Sequence, residues 1–316
     1  MANLLRLRQS PTPGLRPPTP SRSETKCATL GSMNRTSFLF SGLVAALLVL
    51  GVVYLILLPT PSERLSEAIQ EKQWEEVEAL AQAQLEEAAP EQRADLYEQL
   101  ALAHRRQGEH REALAAYQAA YEARPEDPEL RRKAAIEIVE IGHLKAEAGD
   151  NPGAVANYRE AATLAPLIPY GHRALVAQLR QQFRLDETLA ALETAMQYIP
   201  QDVGLRLQLA WLLAAHPDPS KRDAERALRL ANETLLHDRT PETLDTFAVA
   251  LAALGEYKQA LRFELDAIDL AGGEGAPLFP ERRKRVGLFL KEKPFIEQPV
   301  GDETGAEKTA FGTLPD

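Results

Sequence analysis

Cysteine is almost absent from the 316-residue chain, and aromatic residues make up only 6% of it. The single cysteine, Cys27, excludes an internal disulfide and any zinc or iron–sulfur site built from several thiolates. The motifs of zinc proteases, P-loop nucleotide-binding proteins and serine hydrolases do not occur, and the six histidines lack the spacing of metal ligands. These absences predict no catalytic, cofactor-binding or metal-binding residues, so we expect a protein that acts through its surfaces and is not an enzyme.

Charge is distributed unevenly along the chain, whose formal net charge is -10. Residues 1–37 are basic, residues 38–58 carry no charge, and the remainder is strongly acidic. Because neutralisation of phosphates needs clustered Lys and Arg, so acidic a domain predicts no nucleic-acid partner.

Residues 38–58 form an unbroken run of 21 uncharged, mostly apolar residues. As a helix this run would be about 31 Å long, against about 30 Å for the hydrocarbon core of a bilayer. It ends at Pro59 without a small-residue cleavage site, which favours an uncleaved transmembrane signal anchor over a signal peptide. Basic residues precede the run and glutamates follow it, so the positive-inside rule predicts a cytoplasmic N-terminus. The expected location is the inner (cytoplasmic) membrane, with a periplasmic or otherwise extracytoplasmic C-terminal domain.

Two features near the N-terminus leave alternatives open. Gly42 and Ala46 have the small-x-x-x-small spacing of helix pairs, so a homo-oligomer stands beside a plain lipid-facing anchor. Met33 is a second candidate start of translation beside Met1.

From about residue 62 to residue 272, apolar residues recur at i, i+3 and i+4, and no stretch alternates like a strand. The clearest repeat unit reads Tyr97-x2-Leu100-Ala101-x2-His104, then Gly108, Ala113-x3-Tyr117, Ala120 and Pro125. Four further units follow the same order, with the small residue of the second helix at Ala154, Thr188, Ala227 and Ala260. Close crossing of two antiparallel helices requires such small residues. Phe183 stands where the turn glycine of its unit is expected.

These units resemble the tetratricopeptide repeat. The resemblance implies an all-α fold, an α-solenoid of helix-turn-helix repeats, here after one N-terminal transmembrane helix. We expect this organisation: a disordered basic cytoplasmic tail at 1–37, the transmembrane signal anchor at 38–58, a solenoid of five repeats plus a degenerate first repeat at 59–272, a capping helix region at 273–297, and a disordered acidic tail at 298–316. The basic run at 282–285 favours a solvated helix face, with contact to anionic lipid or an acidic partner as the alternative.

In the family that these units resemble, the first helix of each repeat lines a concave groove that receives a peptide. Transferred to this chain, the resemblance implies the following groove residues: Leu102, Arg105, Val139, His143, Arg173, Ala177, Arg180, Leu207, Trp211 and Val249. Apolar residues with arginines toward one end favour a peptide with apolar anchors and an acidic side chain or free carboxylate.

Three groove positions carry specific expectations. Leu102 and its neighbour Glu98 stand where the Lys and Asn of the chaperone-binding members would begin, so a chaperone tail is not expected. Trp211 is either an exposed anchor for a partner or a side chain covered by a neighbouring helix. His143 is expected to be a polar filler and not a ligand.

Two kinds of function follow. The first is a membrane-anchored scaffold or adaptor that binds a protein or peptide partner in its groove during envelope complex assembly. The alternatives are a structural or multimerising accessory subunit of a membrane enzyme complex, and a chaperone of the cytochrome c maturation or secretion type. A groove filled by the chain's own residues 291–298 would favour a structural role.

Overall fold

The computed structural model describes residues 35–298, and for residues 35–42 and 55–57 it describes the backbone only. It divides into one unit that ends at Pro59 and a second unit that starts at Thr60. Most of the two tails predicted at 1–37 and 298–316 lies outside the described residues.

The first unit contains helix α1, Arg35–Leu57. Within the described part of the chain, no helix has both the length and the apolar character to cross a bilayer. The predicted inner-membrane location, with a cytoplasmic N-terminus and a periplasmic domain, is therefore wrong.

The second unit is a series of helices joined by short turns. They are α2 Pro61–Gln70, α3 Trp74–Glu87, α4 Pro90–Gln107, α5 His110–Ala123, α6 Pro128–Glu147, α7 Asn151–Leu164, α8 Pro169–Gln181, α9 Leu185–Tyr198, α10 Val203–Ala215, α11 Ala224–His237, α12 Pro241–Ala253, α13 Tyr257–Ala271 and α14 Phe279–Phe289. Residues 35–298 contain no strand. The predicted all-α fold of helical hairpins is confirmed.

Each helix from α2 to α14 packs against the next one along the chain, which gives six hairpins followed by α14. The first helices of the hairpins also contact one another, and we refer to α4, α6, α8, α10 and α12 as the first-helix row. Polar contacts link neighbours in this row: the Tyr170 hydroxyl of α8 donates to Glu140 of α6 at 2.7 Å. Arg173 of α8 pairs with Asp202, the residue that caps the N-terminus of α10, at 2.9 Å.

Small residues lie where the two helices of a hairpin meet. The five positions predicted from the repeat spacing are fully buried: Ala113, Ala154, Thr188, Ala227 and Ala260. Tyr117 and Tyr158, four residues after the first two of these, are 2% exposed and fill the space beside the crossing. The spacing of small and aromatic residues is thus a packing constraint, because a longer side chain at the crossing would push the helices apart.

In five of the six hairpins of the second unit, a residue just past the first helix has a left-handed backbone conformation; the exception is the α10–α11 hairpin. Gly108, with φ 81°, is the clearest case, and the following amide bonds back to the carbonyl of His104 at 2.9 Å. Phe183 has φ 55° at the corresponding place, and the Arg184 amide bonds to the Leu179 carbonyl at 3.0 Å. The bonds to free helix-end carbonyls offset the roughly 1–2 kcal/mol that a side chain costs in this region. Phe183 therefore substitutes for the expected turn glycine.

Gly171 of α8 lies directly against the backbone of α7. A Cβ atom at Gly171 would come within 2.6 Å of the Ala162 nitrogen. Gly287 of α14 is the matched contrast, because nothing lies within 4 Å of a Cβ atom built there.

We predict that Gly171→Ala lowers the free energy of unfolding by about 1–3 kcal/mol, because backbone cannot move aside as a side chain can. Gly287→Ala should leave the stability unchanged or raise it by up to about 1 kcal/mol, through helix propensity alone. Urea unfolding followed by circular dichroism measures both. Equal effects of the two substitutions would contradict the close contact of α7 and α8.

His172 of α8 is buried and neutral. It is 3% exposed, its Nε2 donates to the Pro166 carbonyl at 3.0 Å, and its ring stacks on Tyr198 beside a pocket of about 380 Å³ between α7 and α9. Burial lowers the pKa of His172, although the Pro166 carbonyl and the Asp202 charge oppose this effect.

A lowered pKa in the folded state predicts a loss of stability in acid. The contribution of neutral His172 is complete above the unfolded-state pKa of about 6.5 and is lost as the pH falls through the lower folded-state value. We expect His172→Gln to flatten the decline in unfolding free energy between pH 7.5 and pH 5. Parallel pH profiles of wild type and variant, measured by urea unfolding, would show that His172 does not titrate in this way.

Candidate functional site

The chain after α14 turns back toward the first-helix row. Glu292 has a left-handed backbone conformation, with φ 51°, and the Lys293 amide donates a hydrogen bond to the Leu288 carbonyl at 3.0 Å. This bond and that from the Glu292 amide to the Phe289 carbonyl form the same kind of helix-ending turn as in the hairpins. Pro294 follows and prevents further helix. We call residues 291–298 the C-terminal segment. After the turn, residues 293–298 form no helix or strand.

The C-terminal segment is held on the first-helix row mainly by Glu297. One carboxylate oxygen pairs with Arg180 of α8, and the other accepts a hydrogen bond from the Trp211 indole nitrogen at 3.1 Å. The Glu297 amide donates to the Ala215 carbonyl at 2.8 Å. Ala215 is the last residue of α10, where carbonyls lack partners within the helix. A single residue of the segment therefore uses both its side chain and its backbone to bind α8 and α10.

Phe295 provides the apolar contact of the segment. Its ring meets the Trp211 ring edge-on, with centroids 5.4 Å apart. The Arg285 guanidinium of α14 lies 5.2 Å from the Trp211 centroid and 5.8 Å from that of Phe295. Trp211 is consequently only 6% exposed. Its cover is the C-terminal segment together with α14, which answers the alternatives left open for this residue.

A cluster of four charged side chains fixes α14 on the last hairpin. Arg285 pairs with Glu264 of α13 at 2.8 Å and with Asp245 of α12 at 3.0 Å. Arg282 pairs with Asp245 at 2.9 Å. All four side chains are at most 6% exposed. Burial raises the pKa of the Glu264 carboxyl to about 8, although the Arg285 charge opposes this shift.

The cluster overturns the expectation for the basic run at 282–285. Arg282 and Arg285 are buried, whereas Arg283 and Lys284 between them are exposed. The two buried arginines are three residues apart and share a helix face with Phe289, which is 2% exposed. The three-residue spacing could have indicated from the sequence that Arg282 and Arg285 lie on the same helix face. Their acidic partners could not be found in this way, because Asp245 and Glu264 lie on other helices.

The ten residues predicted for the groove fall into two sets. Those at the end near α14 are covered: Arg180, Leu207, Trp211 and Val249. Of the others, Val139 is fully buried, whereas these remain partly or well exposed: Leu102, Arg105, His143, Arg173 and Ala177. We call this accessible set the open stretch.

The side chains of the open stretch are held by neighbours. Arg105 reaches from α4 to Glu137 of α6 at 3.1 Å, and its side chain remains 42% exposed. His143 lies between the rings of Tyr158 and Tyr170, and its Nδ1 is 3.6 Å from Glu140. Burial and the hydrogen bond to Glu140 raise the pKa of the Tyr170 hydroxyl. The polar side chains Arg105 and His143 of the open stretch therefore already contact neighbouring side chains.

A second polar cluster joins α3, α4 and α5. His104 Nδ1 lies 2.7 Å from Glu109 and 4.0 Å from Glu78, and Gln107 donates to Glu78 at 3.0 Å. One ligand atom from each of Glu78, His104 and Glu109 lies within 4.8 Å of the others, a set that could hold a metal ion. As it stands, the cluster is a set of hydrogen-bonded side chains that links neighbouring hairpins.

We predict that Asp245→Ala lowers the free energy of unfolding by about 3–5 kcal/mol, because it leaves two buried arginines short of a partner. Glu242→Ala is the control: Glu242 lies 3.6 Å from Arg282 but is 41% exposed, so its loss should cost about 1 kcal/mol or less. Urea unfolding measures both losses. A cost for Asp245→Ala no larger than that of the control would contradict the role of the cluster.

Comparison with known proteins gives one family match. Residues 94–138, which include most of α4, all of α5 and the first half of α6, match the tetratricopeptide repeat model. No curated protein matches the chain.

Several solved structures are similar to the chain. TTC0263, a thermophilic tetratricopeptide repeat protein of Thermus thermophilus, is 20% identical over 63% of this chain and 99% of its own, with a TM-score of 0.36. YrrB, described as having an unusual peptide-binding site, is 18% identical over 65% of this chain and 97% of its own, with a TM-score of 0.44. PilF of Pseudomonas aeruginosa is 16% identical over 70% and 93%, with a TM-score of 0.41.

Identities and TM-scores this low carry no information on what the present chain binds. The matched residues 94–138 coincide with the unit whose spacing is clearest in the sequence. The described second unit is an all-α solenoid of helical hairpins like those of the tetratricopeptide repeat, and residues 94–138 match that family directly.

Proposed function

We propose that this chain is a non-enzymatic adaptor that binds an extended segment of a partner protein along its first-helix row. The observation that carries the proposal is that the row already holds a segment without helix or strand. Glu297 and Phe295 dock on α8 and α10 through one backbone hydrogen bond, one carboxylate site and one aromatic contact. Extended peptides are recognised by this combination of backbone bonds and side-chain anchors.

The open stretch is where a partner would first bind. Ala177 is exposed and lies three residues before Arg180, and Arg173 is 53% exposed. Leu102 and His143 add accessible apolar and aromatic contacts farther along the row. An acidic extended peptide with apolar side chains suits this combination, because an arginine fork holds a carboxylate in two hydrogen bonds.

A second candidate is a structural or multimerising accessory subunit. The observation that favours it is the occupation of the α14 end of the row by the chain's own segment. A chaperone of the cytochrome c maturation or secretion type is a narrower version of the first proposal, and no contact described above favours it.

Photocrosslinking tests the adaptor function. A benzophenone amino acid replaces Ala177 in full-length protein expressed in its own cells, and replaces exposed Leu236 of α11 in the control. We expect one partner to be captured at position 177, through a single extended peptide of that partner, and not at position 236.

A charge substitution adds specificity to this experiment. Capture should fall at least tenfold when Ala177→Glu is tested with a crosslinker placed at Leu102, since the new carboxylate repels an acidic peptide. Ala156→Glu is the matched control, because Ala156 is an exposed alanine of the second helix α7. Equal capture in both variants, or capture of this chain alone, would overturn the adaptor function and favour the structural one.

A further inference from the structure

Residues 294–297 have the contacts of a bound ligand more than those of a structural element. They form no helix or strand, and each of the four is only partly buried. Glu297 is 14% exposed although its carboxylate is doubly bound. In contrast, α14 is fixed by side chains that are nearly inaccessible, Arg282 and Arg285 with Asp245 and Glu264. The charged pairs that fix α14 therefore include none of residues 294–297.

The site beneath the segment has three parts with distinct chemistry. Trp211 and Arg285 form an aromatic and cationic surface for one ring. Arg180 and the Trp211 indole nitrogen donate to one carboxylate. The Ala215 carbonyl accepts one backbone N–H. Phe295 and Glu297 both contact Trp211, so the two side chains reach the same surface.

We propose that residues 294–297 are a built-in ligand that occupies this site in cis and is displaced by a partner peptide of the same chemistry. This inference rests on the proposed adaptor function and names its recognition element: an extended peptide with an aromatic residue two positions before Glu or Asp. Such a peptide binds the site that residues 294–297 occupy and continues along α8 past Ala177 and Arg173. It therefore contacts both the covered end of the first-helix row and the open stretch.

Tethering explains why the site is filled without a strong interface. The segment follows the α14 turn directly, so its effective concentration at the site is on the order of millimolar. A free peptide that binds with a dissociation constant of about 0.1 mM is then weakened about tenfold by the tethered copy. Release of the segment should restore that factor of ten.

The test uses a fluorescein-labelled peptide with the sequence of residues 291–298 as the probe, and full-length protein throughout. Phe295→Ala combined with Glu297→Gln releases the segment and leaves the receiving side chains intact. We expect this double variant to bind the probe about tenfold more tightly than wild type by fluorescence anisotropy. Lys293→Ala combined with Glu292→Gln changes two exposed residues of the same segment and should bind the probe like wild type.

Specificity is checked on both sides of the contact. A probe with Gln at the position of Glu297 should lose at least tenfold in affinity for the released variant, as should Arg180→Ala introduced into that variant. Circular dichroism confirms that each variant keeps its helices. Where the double variant loses helix, Glu297→Gln alone is used, with the same direction of change expected.

Two outcomes overturn the inference. Probe binding by the released variants no tighter than by wild type would show that residues 294–297 are part of the fold and not a ligand. Dimers of the wild-type chain that dissociate only in the released variant would show that the segment is exchanged between copies. Neither result bears on capture at position 177, so a partner found there would leave the adaptor function standing while this inference fails.

Discussion

Close approach of two helices at a buried small residue is the constraint on which the repeat array depends. Ala113, Ala154 and Ala260 lie at such crossings with no accessible surface. Because each crossing fixes the distance between the helices of a hairpin, the next first helix can be placed beside the previous one. The first-helix row, and any surface on it, follows from this repeated spacing.

Arg285 connects the end of the array to the surface on which residues 294–297 lie. It contacts the carboxyl groups of Glu264 and Asp245 inside the last hairpin and also lies over the rings of Trp211 and Phe295. A buried arginine needs both carboxylates, since an unpaired guanidinium in this position would cost several kcal/mol. The same side chain thus stabilises the cap and shapes the aromatic part of the ligand site.

The first-helix row has one part that is accessible and one part, at the α14 end, that the chain's own C-terminal segment covers. The open stretch around Arg173 and Ala177 is accessible, whereas the site of Glu297 and Phe295 is filled. Competition between the tethered segment and a partner is the simplest use of such an arrangement.

The sequence by itself determined the hairpins, because helix periodicity and the small residues at the crossings are local patterns. It also located the turn at Phe183, since the position of a left-handed residue follows from the length of the first helix. Only the tertiary structure decided the fate of Trp211, Arg282 and Arg285. Their partners, Glu297, Asp245 and Glu264, lie 21 to 86 residues away in sequence, and no periodic pattern reports a contact between residues so far apart.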